Sequence, residues 1–302
     1  MGKRIFGYSR DKWKQMFNGY LLILPSILAL GFFYIYPIVY TLYLSMTDWN
    51  LLAPIKRFVG FANYKWVVTQ PLFRQSCANT FYFTFAVVLC SMAIGLFLAI
   101  VTNDKSRFSA GVQACLFSTY VVSWVAMALL WIWLLDRDFG LVNIGLKALG
   151  ASPVNWLGSP DVALKSLTIV SVWKNIGYTV VFFLAGLQDI PTEYYEASMI
   201  DGASRWNQFR YITWPLLSPT TFFLFTTMII GISQTFDIVK IMTGGGPVGS
   251  TTTFVFYVYQ RAFEFFDIGG ASAAAAIFLV VLVILTAIQL YASRRMVHYE
   301  RY

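Results

Sequence analysis

Residues 271–292 read ASAAAAIFLVVLVILTAIQLYA, a run without a single charged side chain. A helix needs about 20 mostly apolar residues to cross roughly 30 Å of hydrocarbon, so this stretch reads as a membrane span. Five more runs have the same character: 18–46, 79–101, 114–135, 165–187 and 212–236. The first contains Pro25 and Pro37, which a membrane helix tolerates where neighbouring groups satisfy the freed backbone. That run is too long for a cleaved signal peptide, and no small-residue cleavage site follows it. The expectation is an all-α polytopic membrane protein with six transmembrane helices.

Composition agrees. Of 302 residues, 58% are hydrophobic, 18% aromatic and 12% charged, and the mean hydropathy is +0.64. Soluble domains carry about 25% charged residues, so a soluble enzyme, a disordered chain and a collagen-like chain are excluded. Cys90 and Cys115 lie inside apolar runs, no Cys-x-x-Cys spacing occurs, and His298 is the only histidine. That pattern argues against a zinc site and a disulfide framework. The net charge of +8 would point to nucleic acid in a soluble chain. Here the basic residues sit in short segments between apolar runs, which fits membrane topology and no nucleic-acid partner.

Lysine and arginine placement sets the expected orientation. With both termini inside, segments 1–18, 102–110, 188–210 and 293–302 hold Lys3, Arg4, Arg10, Lys12, Lys14, Lys105, Arg107, Arg205, Arg210, Arg294, Arg295 and Arg301. The opposite segments 47–76, 136–164 and 237–269 hold fewer basic residues in more positions, about half the density. The chain therefore divides into a cytoplasmic segment 1–18, a membrane domain 19–292 and a cytoplasmic tail 293–302. Trp49, Trp66, Trp131, Trp133, Trp156 and Tyr291 lie near span ends, as interfacial aromatic belts require. The outer segments have room for short surface helices, and Asp136–Asp138 marks the end of the third span.

The inside loop between spans four and five continues into the fifth as QDIPTEYYEASMIDGASRWNQFRYITWP, residues 188–215. It reads as two short helices meeting at Gly202, where a Cβ would oppose a sharp turn. Pro191 suits a first helical turn, and Glu193 and Glu196 put negative charge near that helix's positive end. Tyr195, Met199, Gly202 and Trp206 recur at three- to four-residue spacing and predict one apolar stripe. An amphipathic loop lying on anionic lipid would flank that stripe with lysines. Asp189, Glu193, Glu196 and Asp201 stand against Arg205 and Arg210 instead, so docking into a groove of another protein is the better reading.

This segment resembles the cytoplasmic loop of the permease subunits of bacterial binding-protein-dependent ABC importers. Their pattern is Glu-Ala-Ala, three residues, Gly, nine residues, Ile-x-Leu-Pro. The chain has Glu196-Ala197-Ser198, then Gly202, then Ile212-Thr213-Trp214-Pro215 at that spacing, and Asp201, Ala203 and Phe209 match common choices. Ser198 and Trp214 depart from the pattern but keep size and apolar character. Thr47–Asn50 with Val59–Tyr64, and Thr243–Pro247 with Thr251, Thr252, Tyr259 and Phe263, resemble the carbohydrate branch, the maltose and glycerol-3-phosphate first permeases.

The resemblance implies a type I ABC importer permease fold and a division of labour. The chain would form half of a translocation path with a second, homologous permease. Two cytoplasmic ATPase subunits would receive the loops, with Glu196, Ala197, Ser198, Asp201, Gly202 and Ala203 at the coupling contact. An extracellular solute-binding protein would deliver a sugar or oligosaccharide. ATP and Mg would be bound by the ATPases, with no cofactor in this chain and no catalytic residue.

Lys174 lies about nine residues into the fourth run, roughly 14 Å deep at 1.5 Å per residue. A charge there faces a water-filled path or finds a partner. Asp237 is one partner, and Lys174 or Asn175 lining the solute path, a structural ion pair, and snorkelling to the interface all remain open. Trp173, Tyr178 and Gln234 are further path residues, because aromatic faces and amides suit sugar rings and hydroxyls. Each also reads as helix packing.

The run Gly244–Thr251 imitates a phosphate-binding loop. It lacks the lysine and contains Pro247, so a tight turn before a surface helix is expected. Two rival functions fit the sequence less well. A stand-alone ion-coupled carrier needs ionisable residues deep in several spans, whereas Lys174 is the lone obvious one. A membrane enzyme needs a catalytic pair or metal ligands, which the sequence does not offer.

Overall fold

The computed structural model describes residues 10–52, 55–104 and 106–296. Lys3, Arg4, Lys105, His298 and Arg301 lie outside the described residues, as does much of the expected terminal segments. Helices α1 (Arg10–Leu30) and α2 (Tyr36–Leu44) form the first apolar helix, joined by a π-turn at Gly31–Ile35. Tyr36 donates its N–H back to Gly31, and this wider turn makes room just before Pro37, whose ring crowds the preceding turn. Strands β1 (Thr47–Asp48) and β2 (Arg57–Phe58) pair antiparallel, and α3 (Ala62–Thr69) follows. The spans continue as α4 (Pro71–Val101), α5 (Arg107–Val121) with α6 (Trp124–Leu134), then α7 (Leu141–Ala148) and α8 (Pro160–Gln188). The loop carries α9 (Thr192–Ile200), α10 (Arg205–Gln208), a π-turn at Phe209–Thr213 and α11 (Trp214–Leu216). Then come α12 (Ser218–Ser233), α13 (Asp237–Met242), α14 (Phe254–Tyr259) and α15 (Ile268–Met296).

Among the described residues, four helices are long and apolar enough to cross a membrane, and up to six spans result when each of two bent pairs is one. The bent pairs correct the expectation of continuous third and fifth spans. The third turns by 100° between α5 and α6, and the fifth by 60° at the join before α12. Pro215 and Pro219 flank the second bend at Leu217. Each removes a backbone donor and crowds the turn before it. The first bend has no proline.

By internal packing the chain divides into two compact units, Met1–Val67 with Arg261–Ala276, and Val68–Gln260 with Ile277–Tyr302. In the first, Asn63 donates from Nδ2 to Ser45 O at 2.8 Å and Thr47 O at 2.9 Å. The N–H groups of Ile268 and Gly269 donate to Trp49 O. These bonds give the Thr47–Asn50 and Val59–Tyr64 stretches a structural role as a stitched entry to α15.

In the second unit α8 is the hub, with 67% of its apolar window buried. A Cβ at Gly95 of α4 would lie 2.0 Å from Thr179 Oγ1, and one at Gly177 of α8 would lie 2.1 Å from Leu116 O. Small residues let backbones approach this closely in membrane proteins. Thr179 Oγ1 also donates to Ser91 O at 3.0 Å, tying α8 to α4. Beyond the third span, Asn143 is fully buried and donates to the carbonyls of Asp136, Arg137 and Val154, while its Oδ1 accepts from Val154 N–H and Trp156 Nε1. Asp136 accepts from the N–H groups of Phe139 and Asp138, which hold its carboxyl below the usual range.

The glycine-rich run is a turn before α14, as its proline and missing lysine predict. Gly244, Gly245 and Gly249 have positive φ. Thr251 and Thr252 donate to the carbonyls of Gly246 and Gly245, and Asn79 donates to those of Gly249 and Thr252. The hydroxyls of Thr251 and Thr252 are committed to holding the turn itself.

Candidate functional site

Two places combine exposed chemistry with a defined shape. The first is the loop between α8 and α12. Helix α9 ends in a Schellman motif: Gly202 N–H donates to Met199 O at 3.1 Å and Ala203 N–H to Ser198 O at 2.9 Å. Gly202 sits at φ +74 with no atom within 4 Å of the position a Cβ would take. Its glycine is therefore required by backbone conformation and not by crowding within this chain. Ser204 then caps α10 by accepting the Asn207 N–H at 3.3 Å.

Cross-bonds turn the two helices into a braced elbow. Gln208 Nε2 donates to Ser198 Oγ at 3.0 Å, and that hydroxyl donates to Tyr195 O at 2.8 Å. Tyr195 and Thr213 share a hydroxyl–hydroxyl bond of 2.9 Å. The expected stripe is thereby corrected, because Tyr195 packs inward on the apolar core while Met199 and Trp206 are exposed. Ile200, 88% exposed, adds to the outer face. Glu196, Ala197, Asp201 and Gly202 are exposed beside it, and Ser198 and Ala203 are half-buried. Behind the elbow lies a cavity of about 400 Å³ bounded by Ile100, Asn103, Leu187, Met199 and Arg205, among others.

The second place is a cavity of about 340 Å³ between α8, the third span's bend and the α12–α13 join. Of the predicted path residues, Asn175, Tyr178, Gln234 and Asp237 all line it. Gln234 ends α12 and Asp237 opens α13, so the break between those helices turns both toward one space. Trp173 is not in the lining and packs edge-on to Trp131 at 5.5 Å. The helical period explains this, since positions 173 and 175 lie on opposite sides of α8. Sequence reading missed Tyr120, Trp124, Thr227 and Phe236, which also line the cavity. Tyr120 stands against Tyr178, with ring centroids 5.0 Å apart.

Lys174 is 2% exposed and is not part of the cavity lining. The sequence offered Asp237 as its partner; the ammonium instead donates to backbone carbonyls at the bend. It meets Tyr120 O at 3.0 Å, Thr119 O at 3.4 Å and Val122 O. It also lies over the rings of Trp124 at 5.0 Å and Tyr120 at 5.8 Å.

Several apolar spans, a braced exposed elbow and a cavity with polar lining are features of a membrane transport subunit. Over residues 91–298 the chain matches the binding-protein-dependent transport system inner membrane component family. It belongs to that family, and is a multi-pass inner-membrane permease of an ABC importer and not an enzyme. It is 33% identical over 275 residues to a probable ABC transporter permease of Pyrococcus horikoshii, covering 90% of this chain and 94% of that one. It is 35% identical over 278 residues to a trehalose/maltose transport system permease of Thermococcus litoralis, covering 91% and 93%. An sn-glycerol-3-phosphate transport system permease of Pectobacterium atrosepticum is 32% identical over 295 residues, 97% and 99% of the two chains. In fold, the chain superposes with a TM-score of 0.84 on a chain of a bacterial alginate ABC transporter solved with an alginate-bound periplasmic protein. That chain is 22% identical, with 94% of this one and 96% of the other covered. The type I importer permease fold is thus the fold of this protein.

Proposed function

We propose that this permease forms half of the translocation path of an ATP-driven importer of sugars or oligosaccharides. It pairs with a second, homologous permease, takes solute from an extracellular binding protein, and is driven by two ATPases that hold ATP and Mg. The relatives named for trehalose/maltose and for glycerol 3-phosphate support the substrate class. Segments 1–18 and 293–302 and the elbow 188–210 face the cytoplasm, and 19–292 is the membrane domain.

The observation that carries the proposal is the elbow. Its Schellman turn holds Gly202 in a backbone conformation that leaves a bare surface, beside Glu196, Asp201 and the exposed Ile200. A partner backbone can approach such a surface closely. Bending of the ATPases toward each other would drag the braced elbow as one piece, because Gln208–Ser198 and Tyr195–Thr213 bonds tie it to the start of the fifth span. Asn175, Tyr178, Gln234 and Asp237 then act on solute in the cavity.

A cysteine at Ile200 tests the contact. In the assembled complex it should cross-link to the ATPase, and the yield should change when ATP is added. A complex that hydrolyses ATP but never cross-links there would count against the elbow as the coupling element. Maleimide labelling of single cysteines at positions 2 and 302 from either side of sealed vesicles tests the orientation.

A further inference from the structure

We infer that Lys174 is the positioning residue of the transport cavity: its buried ammonium holds the break in the third span, and with it the aromatic wall. The inference rests on reading that cavity as the solute path. Helix α5 stops at Val121, inside a run apolar enough to have continued, and the chain turns by 100° into α6. The last carbonyls of a helix have no donor within it and carry partial negative charge. In a membrane core they need a partner. In other transporters the ends of broken helices take a bound cation at such points. Here an ammonium tethered to α8 fills that role, with three N–H donors for Thr119, Tyr120 and Val122 carbonyls.

The geometry links this clamp to the cavity. Tyr120 and Trp124 flank the break, both line the cavity, and both rings lie beside the ammonium. Cation–ring attraction of this kind strengthens where water is excluded. Close approach of α5 to α8, which Gly177 permits, brings the carbonyls within reach of position 174. The lysine does not itself line the cavity. It acts through the two rings, so it positions and does not contact solute. Its three protons are also spent, so its charge is not offered to an anionic solute.

The test measures the bend directly. Spin labels at Phe117 and Leu130, both exposed, would be placed on the permease pair in lipid nanodiscs, with Cys77, Cys90 and Cys115 replaced by serine. The wild type should give one narrow distance. Lys174→Met should broaden or shift it, and Lys174→Arg, which keeps the cation, should restore most of the narrow population. The same variants in the complete transporter in vesicles, probed with labelled trehalose, maltose and glycerol 3-phosphate, should show a KM at least ~10-fold higher for Lys174→Met, per assembled complex. A merely structural lysine would lower the amount of complex but leave bend and KM as in the wild type, and that result overturns the inference. If the methionine variant does not assemble, Lys174→Gln, which keeps two donors, is read by the same distance. A wild type with a narrow bend but no ATP-driven uptake of any probe would refute trehalose, maltose and glycerol 3-phosphate as its solutes and leave the bend result to decide the role of Lys174.

Discussion

Replacing Gly202 with alanine and with aspartate separates the cost of folding the elbow from the cost of docking it. At φ +74, an L-residue is disfavoured by about 1–2 kcal/mol, and aspartate by less because its side chain bonds locally. No atom of this chain lies within 4 Å of the added Cβ, so no steric cost within the chain follows. Both variants should insert, since a domain has about 5–15 kcal/mol of stability to lose, and alanine should be the less stable of the two. Docking reverses the order. In a close-fitting contact an extra methyl costs roughly 1–3 kcal/mol, whereas an unpaired carboxylate costs more once water is excluded. Uptake per inserted molecule should therefore fall about tenfold for Gly202→Ala and vanish for Gly202→Asp. Thermal stability of the detergent-purified chain and ATP-driven uptake in vesicles measure the two orders. Uptake that follows stability, with aspartate the better transporter, would refute docking at this surface.

Three further outcomes follow from the same structure. Ser198→Ala restores the family's alanine but removes the hydroxyl bonded to Gln208; it should cost about 0.5–1.5 kcal/mol and leave uptake within about threefold. Gly177→Ala drives a Cβ to 2.1 Å from the Leu116 carbonyl, while Gly231→Ala meets nothing within 4 Å; the first should lose about 1–3 kcal/mol in a melt, the second almost none. Asp237→Asn removes the one carboxylate on the cavity wall, so binding of glycerol 3-phosphate to the permease pair should strengthen several-fold, read by calorimetry; weaker or unchanged binding would return Asp237 to a helix-opening role.

Much of this architecture is legible in the sequence because apolar run length answers directly to bilayer thickness. Runs such as 271–292 need no partner to be recognised, and the elbow's glycine and flanking helices follow from local rules. The two bends differ. Pro215 and Pro219 signal the second. The first depends on Lys174, a residue more than fifty positions away in another helix, and no local pattern around Val121 announces it. The same limit applies to the cavity: Asn175 and Gln234 were readable as polar residues in apolar surroundings, whereas Tyr120 and Trp124 look like ordinary span aromatics until the bend turns them inward. Asn143 was missed for that reason too, since its hydrogen bonds reach loops on both sides of α7.

The central claim is that this permease moves solute only as part of an ATP-driven assembly. The direct test is uptake of labelled sugars into vesicles holding this chain, its partner permease and the ATPases, with the binding protein and ATP added or withheld. Uptake that requires both is the predicted result. Uptake by this chain alone, driven by an ion gradient and indifferent to ATP, would contradict it.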